Sequence, residues 1–330
     1  MKKRTPASFR PSDFSEDVDE GVVEETEHPE DYQTAVRRLK EFMQLSVVPR
    51  NPLLCDLITE QSITIINGVR GHGKSWLVLA LADAIAWGKK VGPWGCGKIS
   101  NVLYIDGEMT IDAIQERISR LNAGKDMKTC PSDFYVYAES YAYTKGLYRA
   151  SLLNDTWRSK VKDMCLKYKV GLLVLDNLSS LAPGIDENDK MQFDAVNRWL
   201  LEMRFHKLAI VMTHHVGKSG SQRGTTAHED HVDLSLQLTR PRNYRMEDGC
   251  KFVCRVTKDR AHITIGMEYT MQLVDVGGGG VEFGYIEGDV SLPIEKAKEF
   301  VRQHPNATVE DAEKAGIKER TFFRAKRETK

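Results

Sequence analysis

The sequence predicts an α/β fold, a mostly parallel sheet covered by helices on both faces with an antiparallel extension at one edge. Three observations predict it. Short apolar runs without alternation (Ile63 to Ile66, Asn101 to Asp106, Val170 to Leu175, Leu208 to Met212) recur between segments of helical spacing, the pattern of strands buried on both faces and joined by helices. The first of these runs passes through a glycine-rich turn straight into a helix. From Val232 onward the pattern changes to β-runs joined directly by turns.

Residues 1–31 are acidic and poor in aromatics and read as a disordered tail. Residues 32–56 read as a helix and linker. Tyr32 to Leu45 places Ala35, Val36, Leu39, Phe42 and Met43 at helical spacing, and Pro49 and Pro52 then break the chain. This helix reads equally as an arm packing onto a neighbouring subunit or as a lid on its own core. A core over residues 57–287 follows, and then a helical segment over 288–330.

The core opens with Ile-Thr-Ile-Ile-Asn-Gly-Val-Arg-Gly-His-Gly-Lys-Ser at residues 63–75. This is G-x-x-x-x-G-K-S between a strand and a helix, the context of a phosphate-binding loop. Glycines allow successive N–H groups to curl round a phosphate, and the helix start adds its own N–H groups and dipole. Gly68, Val69, Arg70, Gly71, His72, Gly73, Lys74, Ser75 and Trp76 are therefore the candidate nucleotide-binding residues. Lys74 is expected to reach the β/γ-phosphates of ATP, and Ser75 to hold Mg²⁺.

Beyond the helix Trp76 to Trp87 the spacing predicts a strand at Asn101 to Asp106, a helix at Ile111 to Leu121 and a strand at Phe134 to Ala138. A helix at Thr156 to Tyr168, a strand at Val170 to Leu175, a helix at Met191 to Phe205 and a strand at Leu208 to Met212 follow. Val232 to Leu238, Lys251 to Thr257, Tyr269 to Val274 and Val281 to Ile286 are the edge strands. Gly277 to Gly280 reads as a hairpin tip, since no Lys-Ser and no helix follow it. Leu292 to Arg302, Val309 to Ala315 and Glu319 to Glu328 outline a small helix-turn-helix. Lys314 to Lys330 carries seven basic and two acidic residues, which suits duplex DNA and a solvated helical cap equally well.

With 28% charged and 41% hydrophobic residues, the 330-residue chain has the composition of a soluble globular protein with a sizeable core. Its 47 basic and 47 acidic residues cancel, but ten of the acids lie between Pro11 and Asp31, where no Lys or Arg occurs. The rest of the chain is thus basic, a balance compatible with nucleic-acid binding. The six cysteines are scattered without C-x-x-C, which argues against a zinc site and a disulfide framework. No apolar run suits a signal peptide or a membrane span, so a cytoplasmic protein with no membrane partner is expected.

Hydrolysis of ATP needs a metal-holding acid, a water activator, a γ-phosphate sensor and positive charge for the transition state. Asp176 ends a buried strand, where an acid can position Mg²⁺ (the expected metal residues are Ser75 and Asp176). Glu108 follows the strand after the P-loop helix, where a carboxylate can orient or deprotonate water, with Asp106 in a supporting place. His214 and His215 end another central strand and face the crevice where such sheets bind ligands.

After the P-loop, Tyr-Ile-Asp-Gly-Glu-Met, Leu-Val-Leu-Asp-Asn-Leu-Ser-Ser-Leu, Thr-His-His-Val-Gly-Lys and Gln-Arg-Gly-Thr-Thr-Ala-His-Glu-Asp occur in order. Together they resemble the RecA/DnaB-like ATPases, and most closely the RepA-type hexameric replicative helicases of plasmids, phages and other mobile elements. The resemblance spans roughly Leu57 to Tyr285. It implies a RecA-like P-loop core, a homo-oligomeric ring, a hexamer in that family, and a single-stranded DNA partner. It further implies Glu108 as catalytic glutamate, Asp176 as the Mg²⁺-coupled aspartate, and His215, with His214 beside it, as the link from γ-phosphate to DNA. Arg223 resembles an arginine finger acting in trans, and Lys258 and Arg260 a basic pair that also acts in trans. Gly217 to Gln222 falls where such rings place a DNA-contacting loop, with Lys218 as a phosphate contact, and Arg117 is a candidate for fixing the local glutamate. The acidic tail and the C-terminal helices lie outside the resemblance. They leave open a nucleotide-switched DNA-binding regulator or loader, and a recombinase-like filament is a further alternative.

Overall fold

The computed structural model describes residues 32–55, 57–184, 190–216, 231–261, 264, 266–288, 293–317 and 319–328. The expected acidic tail at 1–31, the segment Gly217 to Gln222 and Arg223 therefore lie outside the described residues. The chain divides into two units, Met1–Pro49 and Arg50–Lys330.

In the first unit the helix expected over Tyr32 to Leu45 is replaced by a 3₁₀ turn, Tyr32–Ala35, and a single turn, α1 (Leu39–Phe42). Arg38, extended at φ −64° and ψ 147°, separates them. Val36, Leu39, Phe42 and Met43 stay exposed. A helix this short does not recover its nucleation cost unless its apolar stripe is packed.

The second unit begins with a small antiparallel pair, β1 (Pro52–Leu54) and β2 (Ile58–Thr59). Its main sheet then takes in β3 (Ile63–Gly68), β4 (Asn101–Asp106), β5 (Phe134–Ala138), β6 (Val170–Asp176), β7 (Ala209–His215), β8 (Leu234–Thr239), β9 (Lys251–Asp259), β10 (Glu268–Gly277) and β11 (Gly280–Glu287). Among the described residues the order is β11-β10-β9-β8-β3-β7-β6-β4-β5. From β8 to β5 every pairing is parallel, whereas β8–β9, β9–β10 and β10–β11 are antiparallel. This is the RecA-like α/β core expected from the sequence, with its antiparallel edge. Gly278 and Gly279, at φ 60° and 80°, form the two-residue turn of the last hairpin, a backbone that side chains resist.

Alternation along each central strand sends side chains to two separate cores. Ile63, Ile65, Leu173 and Leu175 pack beneath α5 (Asp155–Lys167), α6 (Leu178–Leu181) and α7 (Lys190–Phe205), the helices that follow the short α4 (Glu139–Thr144), through Val161, Leu181, Phe193 and Met203. Ile66, Leu172 and Val174 face the opposite layer, where α2 (Lys74–Trp87) lies beside α3 (Ile111–Leu121). With both faces covered, these strands carry no polar alternation. Helix α2 is apolar nearly all round because it is itself buried, by the sheet, α3 and the aromatic rings of Phe252 and Phe283.

At the C-terminal end, α8 (Pro293–Gln303), α9 (Val309–Lys314) and α10 (Glu319–Glu328) share a small core of Ala297, Val301, Ala312, Ile317 and Phe322. Thr308 opens α9 with a reciprocal cap: its hydroxyl accepts from Asp311 N–H, and the Asp311 carboxylate accepts from Thr308 N–H. Among the described residues no helix is long and apolar enough to cross a membrane.

The parallel register brings the carboxyl ends of β3, β7, β6 and β4 into line, pairing Gly68 with His215 and Asp106 with Asp176. Phe252, fully buried in β9, packs where the edge sheet meets α2. Phe252→Ala should cost about 3–5 kcal/mol in denaturant unfolding. A loss below about 1 kcal/mol would mean that the antiparallel edge is not part of the α2 core.

Candidate functional site

Gly68 ends β3, and the chain turns through residues 69–73 before α2 starts at Lys74. Gly73 has φ +87°, and a Cβ there would lie 2.6 Å from Cys250 Sγ and 3.0 Å from the Phe252 ring, so only glycine fits. No side chain caps α2, so its first N–H groups and positive dipole end are left for an anion. Lys74 is 4% exposed, and its ammonium donates to the Gly68 carbonyl at 2.7 Å and the Val69 carbonyl at 3.1 Å. Burial pulls its pKa down to about 8, against the opposing pull of Asp176 and Glu108.

These residues open onto a cleft of about 410 Å³ that also takes in Arg70, Ser75, Glu108, Asp176 and His215. At its floor two carboxylates face each other. Asp106 and Asp176 are direct partners across β4 and β6, and both are almost fully buried. Burial, followed by the neighbouring Asp176 charge, pushes the Asp106 carboxyl up to about 6. Asp106 Oδ1 accepts from the N–H groups of Glu108 (2.9 Å) and Met109 (2.5 Å), which shapes the turn that carries Glu108. Asp176 is held from both neighbouring strands: Thr213 Oγ1 of β7 donates to its Oδ1 at 2.5 Å, and the Tyr104 hydroxyl of β4 to its Oδ2 at 2.6 Å. Burial, with Asp176 beside it, raises the Tyr104 hydroxyl well above its usual range and keeps it a donor.

Glu108 stands at the rim. Asn177 Nδ2 donates to its Oε2 at 2.5 Å, and His215 Nε2 lies 3.8 Å from the same oxygen. Asn177 is itself fixed, because its Oδ1 accepts the Ser180 N–H at 3.0 Å and so caps α6. Strand alternation separates the two histidines: His215 lines the cleft, while His214 is 3% exposed and turned into the protein. Burial, with the charges of His215 and Lys74, lowers His214 to about 4, leaving it neutral. Burial and Lys74 also lower His215, and Glu108 opposes them.

Of the other residues singled out from the sequence, Arg70, Gly71, Gly73, Trp76 and Arg117 also line the cleft, with the Arg117 guanidinium 5.0 Å over the Trp76 ring. His72 turns aside, its Nδ1 3.4 Å from the Leu238 carbonyl. Lys258 and Arg260 are not brought to this cleft. Because β9 runs antiparallel, they sit at the opposite end of the sheet, where Lys258 is the partner of Ser235 and Arg260 lies 3.5 Å from Asp233. Tyr104, Thr213 and Asn177 were missed. Each stands inside a motif read for another residue, and a polar side chain in an otherwise apolar strand end was the available signal.

The donor set fits the phosphates of a nucleotide together with a hard divalent cation: an uncapped helix start, a buried ammonium, a hydroxyl at Ser75 and carboxylates brought face to face. Among the described residues no cluster of three or more metal-ligating side chains occurs.

Fold and cleft together define a P-loop ATPase of RecA-like architecture. Residues 28–221 match the AAA domain family, more than half of the chain, and the chain belongs to that family. No curated protein matches it. Among solved structures it is similar to a KaiC-like protein of the hyperthermophilic archaeon Pyrococcus horikoshii OT3, at 15% identity and a TM-score of 0.47, over 70% of this chain and 93% of that one.

Between pH 3.8 and about 6 the folded chain holds a proton on Asp106 that the unfolded chain releases, so this group removes stability as pH rises through that window. Asp106→Asn keeps the acceptor oxygen and loses the charge. In EDTA at pH 8 the variant should be more stable than the parent by up to about 3 kcal/mol in urea unfolding. The difference should close below about pH 4. An unchanged or lower stability at pH 8 would contradict the buried carboxylate pair.

Proposed function

We propose that this chain is an ATP-hydrolysing, DNA-acting ring motor, a RepA-like replicative helicase whose sites are completed between subunits. The observation that carries the reading is the setting of Glu108, gripped by Asn177, beside His215, and across the cleft from Lys74 and Asp176. A carboxylate so held can align a water and take its proton, while Lys74 and the α2 N–H groups hold the phosphate oxygens. Ser75 and Asp176 are the residues to hold Mg²⁺, which when bound supplies charge neutralisation across the phosphates.

His215 is the γ-phosphate sensor in this reading. It touches Glu108's surroundings on one side and on the other leads, within two residues, into the segment Gly217 to Gln222 that we assign to single-stranded DNA. His214, neutral and buried beside it, faces away from the cleft. Arg223, Lys258 and Arg260 are assigned to the nucleotide of the adjacent subunit. The placement of Lys258 and Arg260 at the far end of the sheet supports that assignment, because their own cleft is out of reach. Hydrolysis then requires a homo-oligomer, for which the resemblance suggests a hexamer.

A second reading is supported by the C-terminal helices, which have their own apolar core and capped turn. In it the chain is a nucleotide-switched regulator or loader that binds duplex DNA through residues 293–328. Footprinting discriminates: a defined duplex site, lost on deleting Pro293 to Lys330, favours the regulator over the helicase.

For the motor, single-stranded DNA should raise the ATPase rate several-fold, and a non-hydrolysable ATP analogue should shift the measured mass to that of a ring. A forked substrate should be unwound from one tail polarity. A monomer whose ATPase ignores DNA would overturn the proposal.

A further inference from the structure

The cleft has a direction. Glu108 follows β4, and Asp176 and His215 end β6 and β7, all on one side of β3 in the sheet order. A phosphate chain whose terminal group lies among them crosses the start of α2 and must carry its nucleoside out on the other side of β3. That side is occupied by β8 and by the loop joining it to β9, residues 240–250.

This loop is built onto the P-loop. Arg240 Nη2 donates to the Gly71 carbonyl at 2.5 Å, and its Nη1 to the carbonyls of Lys251 (2.8 Å) and Gly249 (3.2 Å). The Arg240 guanidinium carbon lies 3.8 Å from the centre of the Tyr244 ring, and the Tyr244 hydroxyl donates to the same Gly249 carbonyl at 3.1 Å. Asp248 pins the tip by accepting from Arg245 N–H at 2.9 Å and pairing with Lys251 at 3.3 Å, while Gln272 Nε2 donates to its carbonyl at 3.0 Å. Gly249 and Cys250, at the end of the same loop, line the cleft itself. A rigid cation–aromatic pair therefore stands at the mouth of the phosphate site, on the side from which a nucleoside must emerge.

We propose that the 240–250 loop is the nucleobase platform, and that the base of the bound triphosphate stacks on the Arg240–Tyr244 pair. The inference rests on the cleft being a nucleoside triphosphate site. Stacking grips the face of a base and reads no edge. ATP and GTP should therefore bind alike, and both more tightly than CTP or UTP, whose rings offer less area.

Calorimetric titration of the full chain with Mg²⁺-ATP and with Mg²⁺-tripolyphosphate, which has the phosphates and no nucleoside, tests this. The native chain should bind ATP more tightly than tripolyphosphate. Tyr244→Ala should weaken ATP by about tenfold and leave tripolyphosphate unchanged, while Tyr244→Phe keeps ATP affinity. Equal loss of both ligands would make Tyr244 a brace for the P-loop and overturn the platform. So would unchanged ATP binding in Tyr244→Ala, or equal affinity of the native chain for ATP and tripolyphosphate, a comparison that needs no variant to fold. Binding of neither ligand by the native chain would instead overturn the nucleotide-site reading, and the platform with it.

Discussion

Two carboxylates, Asp106 and Asp176, end adjacent parallel strands and meet inside the protein, beside a buried ammonium. Like charges at this separation and depth are costly, and much of the surrounding structure answers to them. Tyr104 and Thr213 each donate to Asp176 from the strands on either side, and two backbone N–H groups donate to Asp106. The sheet order matters here. With β7 between β3 and β6, Thr213 comes next to Asp176, and Lys74 is left to approach from the P-loop. A site strained in this way gains on receiving a cation and a polyanion together, which is the form in which a nucleotide arrives.

The same arrangement sets the place of Glu108. Because Asp106 accepts from the N–H groups of Glu108 and Met109, the glutamate's backbone is tied to the carboxylate floor. Its side chain is held from elsewhere, by Asn177, which follows directly on Asp176 and is locked as the cap of α6. Glu108 and Asp176 are thus linked through β6 and the residue after it, which fixes their relative position. On the opposite side of β3, Arg240 ties the phosphate loop to the antiparallel edge. The P-loop is braced on both sides.

Most of the fold was legible in the sequence because its strands are buried on both faces and its helices are capped or stopped by visible residues. The spans expected for α3, β5 and α10 coincide with those observed, β6 differs by a residue at one end, and α5 by a residue at each end. The exception, Tyr32 to Leu45, had helical spacing but only one helical turn forms, since periodicity records an apolar stripe and not what covers it. Within the site, Lys74, Ser75, Glu108 and Asp176 were legible through motif spacing. Tyr104, Thr213 and Asn177 were not, because their roles arise from the register of β4, β6 and β7, strands distant in sequence. The Arg240–Tyr244 pair was hidden for the same reason: its partner, Gly71, is remote along the chain.

In the proposed mechanism Glu108 activates water and Asn177 acts through it. A double-mutant cycle on the single-turnover ATPase rate, with Glu108→Gln, Asn177→Ala and both together, tests it most directly. Glu108→Gln should slow hydrolysis by about 10²- to 10⁴-fold with nucleotide binding retained. Asn177→Ala should give a smaller loss, and the double variant should be no slower than Glu108→Gln alone. Losses that multiply, or a Glu108→Gln variant with undiminished turnover, would contradict it.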